Sequence, residues 1–370
     1  MHTVLDHAEP VAQGLSVTPI LDARGRPLRD LRLSVIDQCN FRCTYCMPRE
    51  TFGPDYPFLP ADQRMSLDQM FTLAKAFAEL GVGKIRLTGG EPLLRRGIES
   101  LVERLAGLRT LDGRPMEIAL TTNGTLLAEK ARALRDAGLT RVTVSLDALD
   151  DALFRRMAGT QVPVARVLEG IAAASAAGLA PVKVNTVVER GANEGQIVPL
   201  VRFFKGTGVT LRFIEYMDVG GADAWSSSKV VTAREVHDRV ASEFALTPMD
   251  GDRDGATAIL VRHADGGGEV GFIASVSQPF CGDCSRARVS SDGQLFTCLF
   301  ATQGLDLRPW LESGGDGGGD SGGDAEGLQS VIRGHWSRRG DRYSELRSAR
   351  SARPAGSKAY PVVRMSLVGG

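Results

Sequence analysis

Histidine and cysteine are scarce in this chain, with five His and six Cys among 370 residues. No secretory leader is expected, because Met1 to Pro10 carries His, Asp and Glu and no apolar h-region. Long apolar runs are missing too. The most apolar stretch, Ile171 to Leu179, is Ala-rich, short and followed by Pro181, so it reads as a soluble helix rather than a membrane span. Nor is there an excess of either charge: 44 basic and 44 acidic residues cancel, which argues against the nucleic-acid backbone as a main partner. Together these shortages point away from a disulfide-stapled secreted protein and toward a reducing cytoplasm, with no membrane and no nucleic acid. Apolar residues, at 43%, suffice for one large domain and a smaller one.

The few cysteines fall into two triplets, Cys39, Cys43, Cys46 and Cys281, Cys284, Cys298. The first sits in Cys39-Asn40-Phe41-Arg42-Cys43-Thr44-Tyr45-Cys46, directly after the apolar run Leu31 to Ile36. Three thiolates ligate three irons of a 4Fe–4S cluster and leave the fourth open to a small molecule. Structural zinc is the competing use, but it takes four protein ligands, and no fourth Cys and no His occurs between Ala8 and Val236. The octet resembles the signature of the radical S-adenosylmethionine (SAM) superfamily. That resemblance implies that SAM chelates the open iron through its amino and carboxylate groups. One electron then cleaves the sulfonium to a 5′-deoxyadenosyl radical.

From Leu31 to Met217 β-type runs alternate with helical ones. Leu31–Ile36, Lys84–Leu87, Glu117–Thr121, Arg141–Ser145, Pro181–Val188 and Val209–Ile214 read as strands. Ser66–Leu80, Arg96–Leu105, Leu127–Ala137 and Val164–Ala177 read as helices, with Ser66 as an N-cap and Gly81 and Gly138 as stops. Such alternation predicts a parallel sheet of βαβ units. Six units are too few for a closed eightfold barrel, so the expectation is an α/β fold: an open six-stranded (β/α)6 partial TIM barrel. Sites are then expected at the C-terminal ends of the strands. The domains expected are an N-terminal extension over 1–30, a core over 31–218, and a smaller C-terminal domain over 219–370 with the second triplet. Glu312 to Gly327, rich in Gly, Asp and Ser, reads as a flexible loop.

Thr88-Gly89-Gly90-Glu91-Pro92 follows the second strand. Paired glycines admit a close backbone approach, and Glu91 is a candidate to receive an ammonium group; a tight strand-to-helix turn is the alternative. By the superfamily resemblance this stretch binds the methionine end of SAM through Gly90, and Tyr45, Ser145 and Met217 contact SAM as well. Cys281-x2-Cys284-x13-Cys298 again lacks a nearby fourth ligand, since His263 and His335 lie far off in sequence. It reads as a second iron–sulfur cluster with one iron open to substrate, a zinc ribbon being the alternative. Arg286 and Arg288 between its ligands can fork onto phosphate oxygens. Arg32, Arg86 and Lys183 lie in barrel strands, and period two puts Lys183 and Asn185 on one face. A lone buried charge is costly, so barrel carboxylates or an anionic ligand must meet these cations. With the Thr121 hydroxyl they favour a polyphosphate. Gly369-Gly370 alone reads as a frayed end.

Taken together, LRLS before CNFRCTYC, IRLTGGEP, TTNG, VSLD, VKVNTV, LRFIEYMDVG and FCGDCSRARVSSDGQLFTCLF resemble the GTP 3′,8-cyclase family of molybdenum cofactor biosynthesis, from Leu31 to the Gly-Gly end. The resemblance implies two 4Fe–4S clusters and SAM as cofactors, and GTP as substrate. GTP would be bound by Arg32, Arg86, Thr121, Lys183 and the run Arg286, Ala287, Arg288, with Lys84 and Arg212 as further basic positions. Gly369 and Gly370 would enter the site and support catalysis. It also implies a flavodoxin- or ferredoxin-type electron donor and a downstream cyclic pyranopterin monophosphate synthase, and it is compatible with a homodimer. The Gly/Asp loop and the residues before Leu21 have no counterpart in the family pattern. A radical SAM enzyme that modifies a peptide beside an auxiliary cluster is the alternative within the superfamily.

Overall fold

The computed structural model describes residues 19–219, 225–249, 255–312, 324–347 and 365–368. Six strands and their crossover helices form the centre: β1 (Asp30–Ser34), β2 (Lys84–Thr88), β3 (Glu117–Thr122), β4 (Arg141–Ser145), β5 (Lys183–Val188) and β6 (Thr210–Glu215). The helices between them are α1 (Leu67–Glu79), α2 (Ile98–Ala106), α3 (Leu127–Asp136), α4 (Asp151–Ala158), α5 (Val164–Ala176) and α6 (Ile197–Phe204). All six strands pair in parallel and in sequence order. The sheet stays open, as expected.

The strands alternate cleanly, which is unusual for parallel sheets, normally apolar on both faces. Leu31, Leu33, Ile85, Leu87, Ile118, Leu120, Val142 and Val144 are wholly buried under the helices. The other face carries Arg32, Arg86, Thr121, Thr143, Ser145 and Asn185 and lines a cavity. α1 starts as the sequence predicts: the Ser66 hydroxyl accepts from Gln69 N while Gln69 returns a bond to Ser66 N, a capping box. β1 is shorter than the apolar run suggests, because Val35 and Ile36 already turn toward the cysteine loop and Gly90 N donates to Ile36 O.

The C-terminal segment extends this same sheet at both edges. It adds α7 (Ala233–Ala241), β7 (Leu246–Pro248), β8 (Ile259–His263), β9 (Glu269–Ile273), β10 (Arg286–Val289), β11 (Gln294–Phe296) and β12 (Leu305–Asp306). β9 lies parallel to β6, and β10 lies parallel to β1. The result is a twelve-stranded sheet in the order β12-β11-β10-β1-β2-β3-β4-β5-β6-β9-β8-β7. α8 (Arg308–Glu312), α9 (Ala325–Ser337), α10 (Tyr343–Arg347) and α11 (Met365–Val368) complete the described residues.

Two sequence expectations are refined here. Of the Gly/Asp stretch, 313–323 lies outside the described residues, but its end is helical: Asp324 accepts from Gly327 N at 2.8 Å and starts α9. Of the N-terminal segment, 1–18 lies outside the described residues. Residues 19–29 are packed rather than appended; Leu28 N donates to Ile20 O, and Leu28 is fully buried.

α5 rests on the turn after β3 through a glycine. A Cβ on Gly170 would stand 2.4 Å from the carbonyl oxygen of Gly124. Gly170→Ala is therefore expected to lower the unfolding free energy of the metal-free chain by about 1–3 kcal/mol, the usual cost of overpacking. Chemical denaturation reads this; unchanged stability would mean that α5 can shift off the turn.

Candidate active site

The N-terminal triplet occupies the loop after β1, at the C-terminal end of the strands. Its backbone is gripped from two sides. From β2, Gly90 N donates to Ile36 O and Glu91 N to Gln38 O, each at 2.8 Å. A Cβ on Gly89, whose φ is +136°, would lie 2.2 Å from Ile36 O, and one on Gly90 would lie 2.2 Å from Gln38 O. Paired glycines are needed because no side chain fits between these two backbones. From α4, Arg42 N donates to Ala158 O and Thr44 N to Met157 O, both at 3.0 Å.

Glu91 is not a spare carboxylate. It accepts from Leu93 N (3.0 Å), Thr122 Oγ1 (2.7 Å) and Asn123 N (2.7 Å). Burial pushes its acid up to about 7 against the pull of these bonds. Asn123 in turn donates to Asn40 Oδ1 at 2.7 Å and reaches Cys39 Sγ at 3.9 Å. The GGEP and TTNG motifs are thus one network that holds the cysteine loop. Tyr45 is fixed in the same way: its hydroxyl donates to Asp147 Oδ2 at 2.8 Å, and Asp147 Oδ1 accepts from Val187 N. Burial pushes Asp147 up to about 6.

Burial also pushes the Cys39 and Cys46 thiols up to about 12, and burial with the two neighbouring sulfurs raises Cys43. Three crowded, dry thiols of this kind await a cation to hold their thiolates. Phe41 N already donates to Cys39 Sγ at 3.4 Å.

The C-terminal triplet stands at the opposite end of the sheet. Cys281 and Cys284 precede β10, which runs parallel to β1. β11 returns antiparallel and carries Cys298 back beside them. A five-residue strand such as β1 is about 16 Å long, and this roughly separates the two triplets along the strand axis. Burial pushes the Cys284 thiol up, but Arg286 and Arg339 beside it outweigh that and hold it at about 6. Cys298 is pushed up to about 12 by burial, and its sulfur accepts from Phe300 N at 3.5 Å.

Between the triplets lies a cavity of about 510 Å³. Tyr45, Ser145 and Met217 contribute to its wall, as do all three C-terminal cysteines. Ten basic side chains line it against three acidic ones. Their placement follows from register: Arg288, Arg32 and Arg86 are direct neighbours on β10, β1 and β2. Like charges side by side on a sheet repel. Burial, then Arg288, Arg286 and Arg86, pull Arg32 well below the usual guanidinium range. Burial, then Arg212 and Arg141, lower the Lys183 ammonium to about 8. Neither Arg32 nor Lys183 meets a carboxylate within ion-pairing distance among the described residues, whereas Lys84 is 3.7 Å from Asp30 and 3.5 Å from Glu117. Arg86 donates to Thr121 Oγ1 (3.1 Å) and Thr143 Oγ1 (3.3 Å), and Arg212 to Asn185 Oδ1 (2.9 Å). The chamber is arranged for a polyanion.

The structure brings Arg32, Arg86, Thr121, Lys183, Arg286 and Arg288 to this one cavity, with Lys84 and Arg212. Ala287 points the other way, into the apolar core. Gly90 sits against the cysteine loop rather than at the cavity wall. Gly369 and Gly370 lie outside the described residues, although Met365 of α11 reaches the cavity. Sequence reading missed Arg141, Thr143 and the role of Asn185 as partner of Arg212; inward phase on β4 and β5 was the available signal. It also missed Arg26 and Arg339, which lie outside every motif.

The donor chemistry suits iron–sulfur ligation: each triplet offers three free thiols, one for each of three irons of a 4Fe–4S cluster.

The chain matches the Radical SAM superfamily over residues 33–204 and Molybdenum Cofactor Synthesis C over 209–345. It is 52% identical over 354 residues to GTP 3′,8-cyclase of Xanthomonas axonopodis pv. citri (strain 306), covering 95% of this chain and 99% of the relative. It is 44% identical over 355 residues to GTP 3′,8-cyclase of Staphylococcus aureus (strain JH9), covering 96% of this chain and 100% of the relative. The crystal structure of Streptococcus suis SuiB shares the fold, with a TM-score of 0.55 at 14% identity over 93% of this chain and 73% of that one. With its own cysteine octet, its second triplet and its cation-lined cavity, the chain belongs to the GTP 3′,8-cyclase family of radical SAM enzymes.

Proposed function

We propose that the chain converts GTP to (8S)-3′,8-cyclo-7,8-dihydroguanosine 5′-triphosphate, the first step of molybdenum cofactor biosynthesis. The observation that carries this reading is the excess of cations in a cavity bounded by the second cysteine triplet. Cys39, Cys43 and Cys46 would hold the family's 4Fe–4S cluster, and Cys281, Cys284 and Cys298 a second one. When bound, the first cluster with SAM would supply a 5′-deoxyadenosyl radical able to take hydrogen from the ribose C3′. The C3′ radical would add to guanine C8 at the expense of the C8=N7 π bond, and the radical left at N7 would take up one electron and one proton, so a reductant is required; a flavodoxin- or ferredoxin-type donor suits this. The product has the chemistry that a cyclic pyranopterin monophosphate synthase consumes.

The chain's own residues do the positioning. Arg32, Arg86, Lys183, Arg286 and Arg288, with Thr121, would neutralise the triphosphate and hold the nucleotide rigidly, which is where much of the rate arises. Tyr45, Ser145 and Met217, at the C-terminal strand ends, would flank SAM. Gly90 would act through the loop it locks, and Gly369-Gly370 would close the site from the tail. Residues 31–218 would then generate the radical, and 219–370 with the barrel cations would select its target. No helix among the described residues is long and apolar enough to cross a membrane, and a reducing cytoplasm suits thiolate-held clusters.

A panel of substrates tests the reaction. With anaerobically reconstituted protein, SAM and dithionite, GTP is expected to stimulate 5′-deoxyadenosine formation, and peptides are not. Stimulation by a peptide and not by GTP would favour the peptide-modifying alternative.

Lys183 gives a second test with a sign. Its ammonium titrates near 8 in the free chain, and a bound triphosphate would raise that value. Below pH 8 the residue is charged in both states and affinity is full. Above pH 8 binding must take up a proton, so the Kd for GTP should rise by up to about tenfold per pH unit until the pKa of the complex is reached. Lys183→Met should bind more weakly and lose this slope between pH 7.5 and 9.5. A slope unchanged in the variant would remove Lys183 from the triphosphate site.

A further inference from the structure

A buried ionic cluster outside the family motifs surrounds the C-terminal triplet. Arg26 Nη1 donates to the carbonyl of Cys281 at 2.8 Å and to that of Asp341 at 3.0 Å. Arg339 Nη1 donates to the carbonyl of Cys284 at 2.6 Å. Each guanidinium therefore holds the backbone of one ligand cysteine. Both are anchored from behind by Asp22, whose Oδ2 lies 2.6 Å from Arg26 Nε and 3.4 Å from Arg339 Nη1. Asp341 Oδ2 lies 3.4 Å from Arg339 Nε and accepts from Thr297 Oγ1 at 2.7 Å, beside Cys298. The indole of Trp336 donates to Arg26 O at 3.2 Å and lies under the Arg339 guanidinium.

This arrangement is expensive unless it serves the triplet. The side chains of Arg26, Arg339 and Asp22 are 2%, 1% and 0% exposed. Buried ion pairs rarely stabilise a fold more than apolar packing would. One donor is still unspent: Arg26 Nη2 is buried and has no hydrogen-bond partner, and both arginines reach the cavity wall. A buried donor without an acceptor in a site formed by three cysteines points to an acceptor that the cysteines bring with them.

We propose that Arg26 and Arg339 are positioning residues for the C-terminal iron–sulfur cluster, holding the ligand loop by its carbonyls and supplying positive charge that favours the cluster's reduced state. The proposal rests on the second-cluster reading given above. Cations and N–H donors close to a cluster stabilise the extra electron and raise its potential. Asp22 and Asp341 orient the arginines and temper their charge. Neither arginine is a catalytic residue.

The test uses the full chain loaded with both clusters. Redox titration followed by electron paramagnetic resonance gives one step per cluster, and Cys281→Ala identifies the C-terminal one by its loss. In Arg339→Gln the C-terminal step should move to lower potential, the N-terminal step should stay, and a chelator should strip the C-terminal iron about tenfold faster. Arg26→Gln should behave alike, which keeps the proposal testable if one variant fails to fold. Arg339→Lys should retain most of the potential but not the chelator resistance, because one ammonium cannot span the Cys284 carbonyl and both carboxylates. Unchanged potential and iron retention in the Gln variants would overturn the proposal and leave the second cluster standing. Equal shifts of both steps, or Lys behaving as Gln does, would reduce the arginines to structural supports and overturn it as well. A wild-type chain with a single step would overturn the second-cluster reading and this proposal with it.

Discussion

The parallel pairing of β10 against β1 is the constraint on which the site depends. Arg32 opposite Arg288, and Leu31 opposite Ala287, fix the C-terminal segment in register with the first barrel strand. That register puts Cys281 and Cys284 at one end of the strands while the octet after β1 stands at the other. It also completes the row Arg288, Arg32, Arg86, whose mutual repulsion the fold tolerates at the cavity wall. A slip of one residue would turn Ala287 inward and both arginines into the apolar core. The cost of that slip is what keeps the charged row facing the chamber.

The two cysteine sites are held by segments at different distances in the sequence. Around the octet the grip is close and partly local: two glycines that admit no side chain, a Glu91–Asn123–Asn40 relay of hydrogen bonds, and Arg42, whose Nη1 donates to the carbonyls of Cys39 and Phe41. Around the second triplet the grip is ionic and assembled from three distant segments, around Asp22–Arg26, Cys281–Cys298 and Trp336–Asp341. Compact local motifs suit a loop that must present one open position. An ionic cradle suits a site whose charge environment matters, with Arg286 and Arg339 setting the Cys284 thiol far below its buried neighbour Cys298.

This contrast explains what was legible in the sequence. The six central strands and four of their helices follow from alternation and from stops such as Gly81 and Gly138, and they differ from the expectation by one or two residues. Period two also placed Lys183 and Asn185 on the cavity face. The hydrogen bonds that Glu91 accepts from Leu93 N, Thr122 Oγ1 and Asn123 N were not legible, because two of these donors come from the C-terminal end of β3 and only the fold brings them near. The extension of the sheet by β9 and β10 was not visible, since strand neighbours far apart in the sequence leave no local signal. Arg26 and Arg339 were invisible because each looks like an ordinary arginine beside its sequence-local aspartate, and only the fold sets the Cys281 and Cys284 carbonyls against them.

The central claim is that the cavity presents the ribose of a triphosphate-anchored guanosine to a radical made beside the octet. GTP deuterated at C3′, turned over with SAM and reductant by the reconstituted enzyme, tests it most directly. The account predicts that the deuterium appears in the 5′-deoxyadenosine released. Release of 5′-deoxyadenosine without deuterium, while the C3′ label stays on the nucleotide, would contradict it.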